Sequence, residues 1–114
     1  MTARAAALFA CVAVAACGSD ASCPHDLPAT CPSPAPSYSG EVKALIDTYC
    51  ADCHRPGGQA ADRPLDTYAA TFTRRSAVLN QTYACAMPPP EFPQPTEAER
   101  VQLLGWLVCG APNN

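Results

Sequence analysis

The residues most able to do chemistry in this chain are gathered in one short run, Cys50-Ala51-Asp52-Cys53-His54. Two thiols three residues apart on a helical turn can each add to one vinyl group of a haem, forming two thioethers. The adjacent histidine then lies beneath the iron as an axial ligand. Three other chemistries use a similar pair of cysteines. A thioredoxin-type redox couple places C-x-x-C after a strand, at the start of a helix within a βαβ pattern. Here the motif follows a helix and no strand is visible. A zinc site requires further Cys or His ligands at short spacing, and the next candidate is Cys85. A plain disulfide would leave His54 without a role. The spacing therefore favours covalent haem c, held by Cys50 and Cys53 and ligated by His54.

Two strongly signalled helices must position this motif. In the first, Ser39 is a candidate cap, and Val42, Leu45, Ile46 and Tyr49 fall at i, i+3, i+4 and i+7, a single apolar stripe leading into Cys50. Residues 55–64 contain Pro56, Gly57, Gly58 and Pro64 and read as a loop. A weaker helical pattern covers about residues 66–80, with Tyr68, Ala69, Phe72 and Leu79 expected to face inward. Pro88, Pro89, Pro90, Pro93 and Pro95 then impose an irregular extended segment. The last helix opens with a capping box, Thr96 and Glu99. Its broad apolar face comprises Val101, Leu103, Leu104, Leu107 and Val108, and Gly110 and Pro112 close it. No alternating strand pattern and no internal repeat occurs, so the expected class is all-α.

The remaining sequence bears on compartment and partners. The chain has 114 residues, enough for one small domain. Eight cysteines in so short a chain point to an oxidising compartment or to metal binding. After Arg4 comes an apolar run from Ala5 to Ala16, as long as a signal-peptide core and too short to span a bilayer. Val14-Ala15-Ala16-Cys17 resembles the bacterial lipobox, whose cysteine carries the lipid; Cys11 is preceded by too short an apolar stretch to serve. The expected organisation is a lipoprotein signal peptide over 1–16, a lipid-anchored Pro-rich linker over 17–38 that includes Cys23, His25 and Cys31, and a folded domain over 39–112. The expected location is extracytoplasmic, on a bacterial membrane. Formal charge is −3, and loss of Arg4 with the leader makes it about −4. Such a balance gives no basic patch for nucleic acid.

Residues 39–112 resemble a class I c-type cytochrome domain, which reaches C-x-x-C-H after a first helix and closes with a C-terminal helix. The resemblance implies a cytochrome c-like fold, N- and C-terminal helices packed around one haem. In that family the second axial ligand is a methionine from a Pro-rich loop before the last helix. Ala86-Met87-Pro88-Pro89-Pro90 matches that loop, and Met87 is the only methionine besides the initiator. The family's backbone carbonyl for the histidine ring N–H and its following pocket leucine match Pro64-Leu65. Arg55, Arg74 and Arg75 are candidate partners for haem propionates or plain solvated cations. Tyr49 and Trp106 are expected at the contact between the two strong helices, with Ala44 or Gly105 allowing close approach. With Cys17 assigned to lipid and Cys50 and Cys53 to haem, the four remaining cysteines of the mature chain are expected to pair in sequence, Cys23–Cys31 and Cys85–Cys109.

The function so implied is one-electron transfer by an outer-sphere route, with both axial positions filled, no small-molecule substrate, and transient redox-protein partners at the same membrane. No further catalytic constellation marks an independent enzyme. Two other functions stay open: a haem-based sensor in which Met87 does not ligate iron, and a haem-free lipoprotein held by disulfides.

Overall fold

The computed structural model describes residues 27–114. The expected leader over 1–16, the lipid attachment at Cys17, and Cys11, Cys23 and His25 lie outside the described residues. Among the described residues the fold is helical and contains no strand. A π-helical turn, Tyr38–Val42, continues without a break into α1 (Lys43–Tyr49); α2 (Tyr68–Thr73), α3 (Arg75–Tyr83) and α4 (Glu97–Val108) follow. Among these residues no helix is long and apolar enough to cross a membrane.

The first helical segment starts earlier than its periodicity suggests. Ser37, not Ser39, is the cap, and its hydroxyl accepts from the Gly40 N–H at 3.1 Å. The extra turn brings Tyr38 into the core, where its ring lies 5.6 Å from Trp106 and 5.0 Å edge-on to Tyr68. Val42 and Ile46 are fully buried, while Leu45 and Tyr49 are half-buried. Ser39 instead donates to the Asn114 carbonyl at 3.0 Å.

The middle helix expected over residues 66–80 is two helices, broken at Arg74. Thr67 caps α2 through its side chain, whereas α3 begins without a side-chain cap. The inward residues are Thr71, Val78 and Thr82, with Tyr68, Phe72 and Leu79 against the core edge; Ala69 faces solvent. The weak apolar periodicity of this stretch reflects two short helices with different inward faces.

The last helix forms as its signals specify. Thr96 Oγ1 accepts from the Glu99 N–H, and Glu99 Oε2 accepts from the Thr96 N–H at 2.8 Å, completing the capping box. At the other end Gly110 takes φ +84°, its N–H bonds to Leu107, and the Ala111 N–H bonds to Trp106. That is a Schellman closure, which satisfies carbonyls the helix leaves orphaned. Leu103, Leu104, Trp106 and Leu107 are buried, whereas Val101 is exposed. Arg100 is buried as well, on the same stripe as Leu103, Leu104 and Leu107.

The Pro-rich segment before residue 39 is fastened to this core. Cys31 is bonded to Cys109, just beyond α4. The sequential pairing Cys23–Cys31 and Cys85–Cys109 is therefore overturned. Cys85 is itself in a disulfide, with a partner other than Cys109. Pro32 and Pro36 lie over Gly105, where an added Cβ would come within 3.2 Å of the Pro32 ring. Gly105 is thus the close-approach point for this segment rather than for α1. Ser37 and Tyr38 are further tied to Asn114. The folded unit begins at Cys31 at the latest, so the boundary expected between 38 and 39 falls inside it.

Candidate functional site

The motif sits where α1 runs out. The N–H groups of Cys50 and Ala51 both bond to the Ile46 carbonyl, and those of Cys53 and His54 bond to Cys50. These bonds wind Cys50 to His54 into a turn that continues the helix path and puts both sulfurs and the imidazole around one hollow. The chain then doubles back: Ala60 N–H reaches the Cys53 carbonyl at 2.9 Å, and Leu65 N–H reaches the His54 carbonyl at 2.7 Å. Gly58 makes this fold-back possible, because a Cβ there would lie 2.3 Å from the Cys53 oxygen. No side chain fits in that space.

The imidazole is oriented by the same loop. Nδ1 of His54 lies 2.8 Å from the Arg63 carbonyl. A carbonyl only accepts, so Nδ1 carries the proton and Nε2 is left with the lone pair a metal would use. The expected partner was Pro64, and the structure uses the carbonyl one residue earlier. Pro64 does not line the hollow, but Leu65 does, buried in its wall. The loop register sets this difference, and spacing alone does not reveal it.

The hollow is a cavity of about 580 Å³, within the range of small-molecule and cofactor sites. Cys50, Cys53 and His54 line it together with Ala77, Val78, Gln81 and Thr82 of α3 and with Met87, Pro88, Pro89, Phe92 and Pro93 of the Pro-rich loop. The structure thus brings Met87 to the cavity that holds the cysteine–histidine motif, 33 residues away in sequence. Of the three candidate arginines, only Arg74 lines the cavity, and Arg63, which no spacing marks, lines it too. Arg55 pairs with Asp52 at 3.1 Å, and Arg75 stacks over Phe72 at 4.1 Å.

The two motif cysteines are free thiols, and neither is fully exposed. Burial, with a smaller contribution from Cys53, pushes the Cys50 thiol up to about 11. A thiol so held is protonated at neutral pH, the opposite of the activated thiolate in a redox couple. Among the described residues no three His, Cys, Asp or Glu side chains gather into a metal site.

The Met87 loop is held from both sides. The Met87 N–H reaches back to the Gln81 carbonyl at 3.2 Å. Gln94 Nε2 lies 3.1 Å from the Pro88 carbonyl, 2.9 Å from Pro89 and 3.0 Å from Phe92. Tyr49 and Trp106 do not meet as expected. Trp106 packs on Tyr38 and donates to the Pro112 carbonyl, while Tyr49 donates to Glu99.

The donor set and the cavity fit a haem c attached through Cys50 and Cys53: two thiols, an imidazole oriented by the Arg63 carbonyl and the Met87 thioether line one space of cofactor size. No family model, curated protein or solved structure matches the chain.

Proposed function

We propose that this chain is a monohaem c-type cytochrome, an extracytoplasmic one-electron carrier with His54 and Met87 as axial ligands. The observation that carries the reading is the shared cavity. C-x-x-C-H and Met87, far apart in sequence, line one space of cofactor size, with the imidazole Nε2 left free for a metal. The motif follows a helix and no strand occurs among the described residues, unlike the strand-then-helix setting of a thioredoxin-type couple.

When bound, the haem supplies a reversible one-electron couple at iron. The chain's own residues do the rest. Cys50 and Cys53 would hold the group through two thioethers at the turn after α1. The Arg63 carbonyl holds the His54 ring in one tautomer and makes Nε2 the better donor. Leu65, Val78 and the Pro-rich wall exclude water. Arg63 and Arg74 offer positive charge at the cavity wall, suited to carboxylate groups. The partners of such a carrier are redox proteins at the same membrane, met through small transient contacts, and the anchor is a lipid on Cys17.

The test is the optical spectrum of protein made with a c-type maturation system, after acid–acetone extraction. Haem that stays with the protein, and a ferric methionine–iron charge-transfer band, are the expected results. Retained haem without that band points to a sensor with an open distal position. A colourless protein contradicts the proposal and leaves a disulfide-held, haem-free protein.

A further inference from the structure

The side chain of Arg100 is almost wholly buried, at 1% exposure, and among the described residues no carboxylate partners it. Its Nε has no hydrogen-bond partner among the described residues. A buried cation without a counter-charge is costly and calls for a reason. Its two remaining nitrogens supply one. One terminal nitrogen donates to the Thr82 carbonyl at 3.2 Å, in the last turn of α3, where the helix dipole favours positive charge. The other donates to Gln94 Oε1 at 3.3 Å. Gln94 in turn directs its amide nitrogen at the carbonyls of Pro88, Pro89 and Phe92. Only the amide nitrogen can meet three carbonyls, so the Arg100 contact falls on the oxygen by necessity.

Thr82 is where the chain enters the Met87 loop, and residues 88–94 are where it leaves. Arg100 therefore spans both stems of one loop from a rigid helix. The segment between is rich in prolines, which lack N–H groups and cannot stitch the loop together. Gln94 provides donors from outside.

We propose that Arg100 and Gln94 are positioning residues for Met87, a clamp that keeps the Met87 sulfur in place against competing ligands. The proposal rests on the haem reading. A planar fork that bonds two stems at fixed directions is a task for arginine and not for lysine. Losing about one net hydrogen bond at the loop corresponds to roughly tenfold in the held-to-released equilibrium. An outside ligand gains affinity by the same factor, because it competes with Met87 for the iron.

The experiment uses the holoprotein, with imidazole titrated against the ferric form. Gln94→Glu preserves shape and keeps an oxygen for Arg100, yet presents no amide donors to the three carbonyls. Arg100→Lys keeps the charge and loses the fork. Both variants are expected to retain covalent haem, to weaken the methionine–iron band, and to bind imidazole roughly tenfold more tightly. In a Met87→Ala background, Gln94→Glu is expected to change imidazole affinity no further, which separates positioning from general loosening. If wild type shows haem and band but both variants bind imidazole as wild type does, the clamp is overturned and the haem reading stands. An effect of Gln94→Glu that persists without Met87 also overturns the clamp. A wild type without haem overturns the haem reading, and the clamp with it.

Discussion

The hydroxyl of Tyr49 donates to Glu99 Oε2 at 2.9 Å, so the residue before Cys50 is bonded directly to the capping box of α4. One carboxylate serves both elements, since the same oxygen accepts from the Thr96 N–H. The motif and the last helix are coupled through it.

This coupling is sensitive to acid. The Thr96 N–H first, and the Tyr49 hydroxyl second, hold the Glu99 carboxyl below its ordinary value. A group with a depressed folded pKa stabilises the protein above its unfolded pKa, and that contribution is lost as pH falls through the folded value. Thermal midpoints measured from pH 6 downward should therefore fall less steeply in Glu99→Gln than in wild type below the ordinary carboxylate range. Parallel curves would show that Glu99 is not coupled to the fold.

Gly58→Ala is expected to destabilise the protein, because its Cβ would meet the Cys53 carbonyl at 2.3 Å, a backbone atom that cannot yield easily. Overpacking of this kind costs about 1–3 kcal/mol. Urea unfolding checks it, with Gly57→Ala, where the added carbon has open space but a φ of +84°, separating crowding from backbone strain. The crowding account predicts that Gly58→Ala also lowers the yield of covalently attached haem, since Cys53 is the residue displaced.

The Cys31–Cys109 bond closes a loop with a sequence separation of 78. On the chain-entropy view it stabilises by about 4–5 kcal/mol. Peptide mapping without reduction should recover Cys31 linked to Cys109, and the Cys31→Ser/Cys109→Ser double variant should lose stability on that scale. A peptide joining Cys85 to Cys109 would contradict the arrangement.

Gly105→Leu tests whether the Pro-rich segment is docked. The larger side chain occupies the place of Pro32 and Pro36. The expected outcome is faster proteolytic cleavage over residues 32–36, with α4 still formed. Unchanged cleavage would mean that those prolines do not rest on α4.

The ends of α4 and the placement of the motif at the end of the first helix are legible in the sequence because both depend on residues within a few positions of each other. A capping box, a C-terminal glycine and C-x-x-C-H are local constraints, and they hold whatever packs around them. What escaped was set by distant contacts. Composition marks residues 31–38 as extended, but it cannot reveal that Pro32 and Pro36 rest on Gly105. Four cysteines permit three pairings, and proximity in sequence selected the wrong one. Ser39 is the cap that periodicity indicates, but burial of Tyr38 against Trp106 moves the helix start back to Ser37. The carbonyl facing His54 belongs to Arg63 because the loop closes through Leu65, one register earlier than the resemblance implied. Arg100 did leave a trace: it occupies the position three, four and seven residues before Leu103, Leu104 and Leu107. A charge on an apolar stripe asks for a buried partner.

Covalent haem on Cys50 and Cys53 is what the proposed function requires before anything else. Its most direct measurement is the intact mass of the protein co-expressed with a c-type maturation system, under denaturing and reducing conditions. The account predicts a mass increase of one haem in wild type, located by peptide mapping to Cys50 and Cys53 and absent from Cys50→Ala/Cys53→Ala. An unmodified mass for wild type, with both thiols open to alkylation, would contradict it.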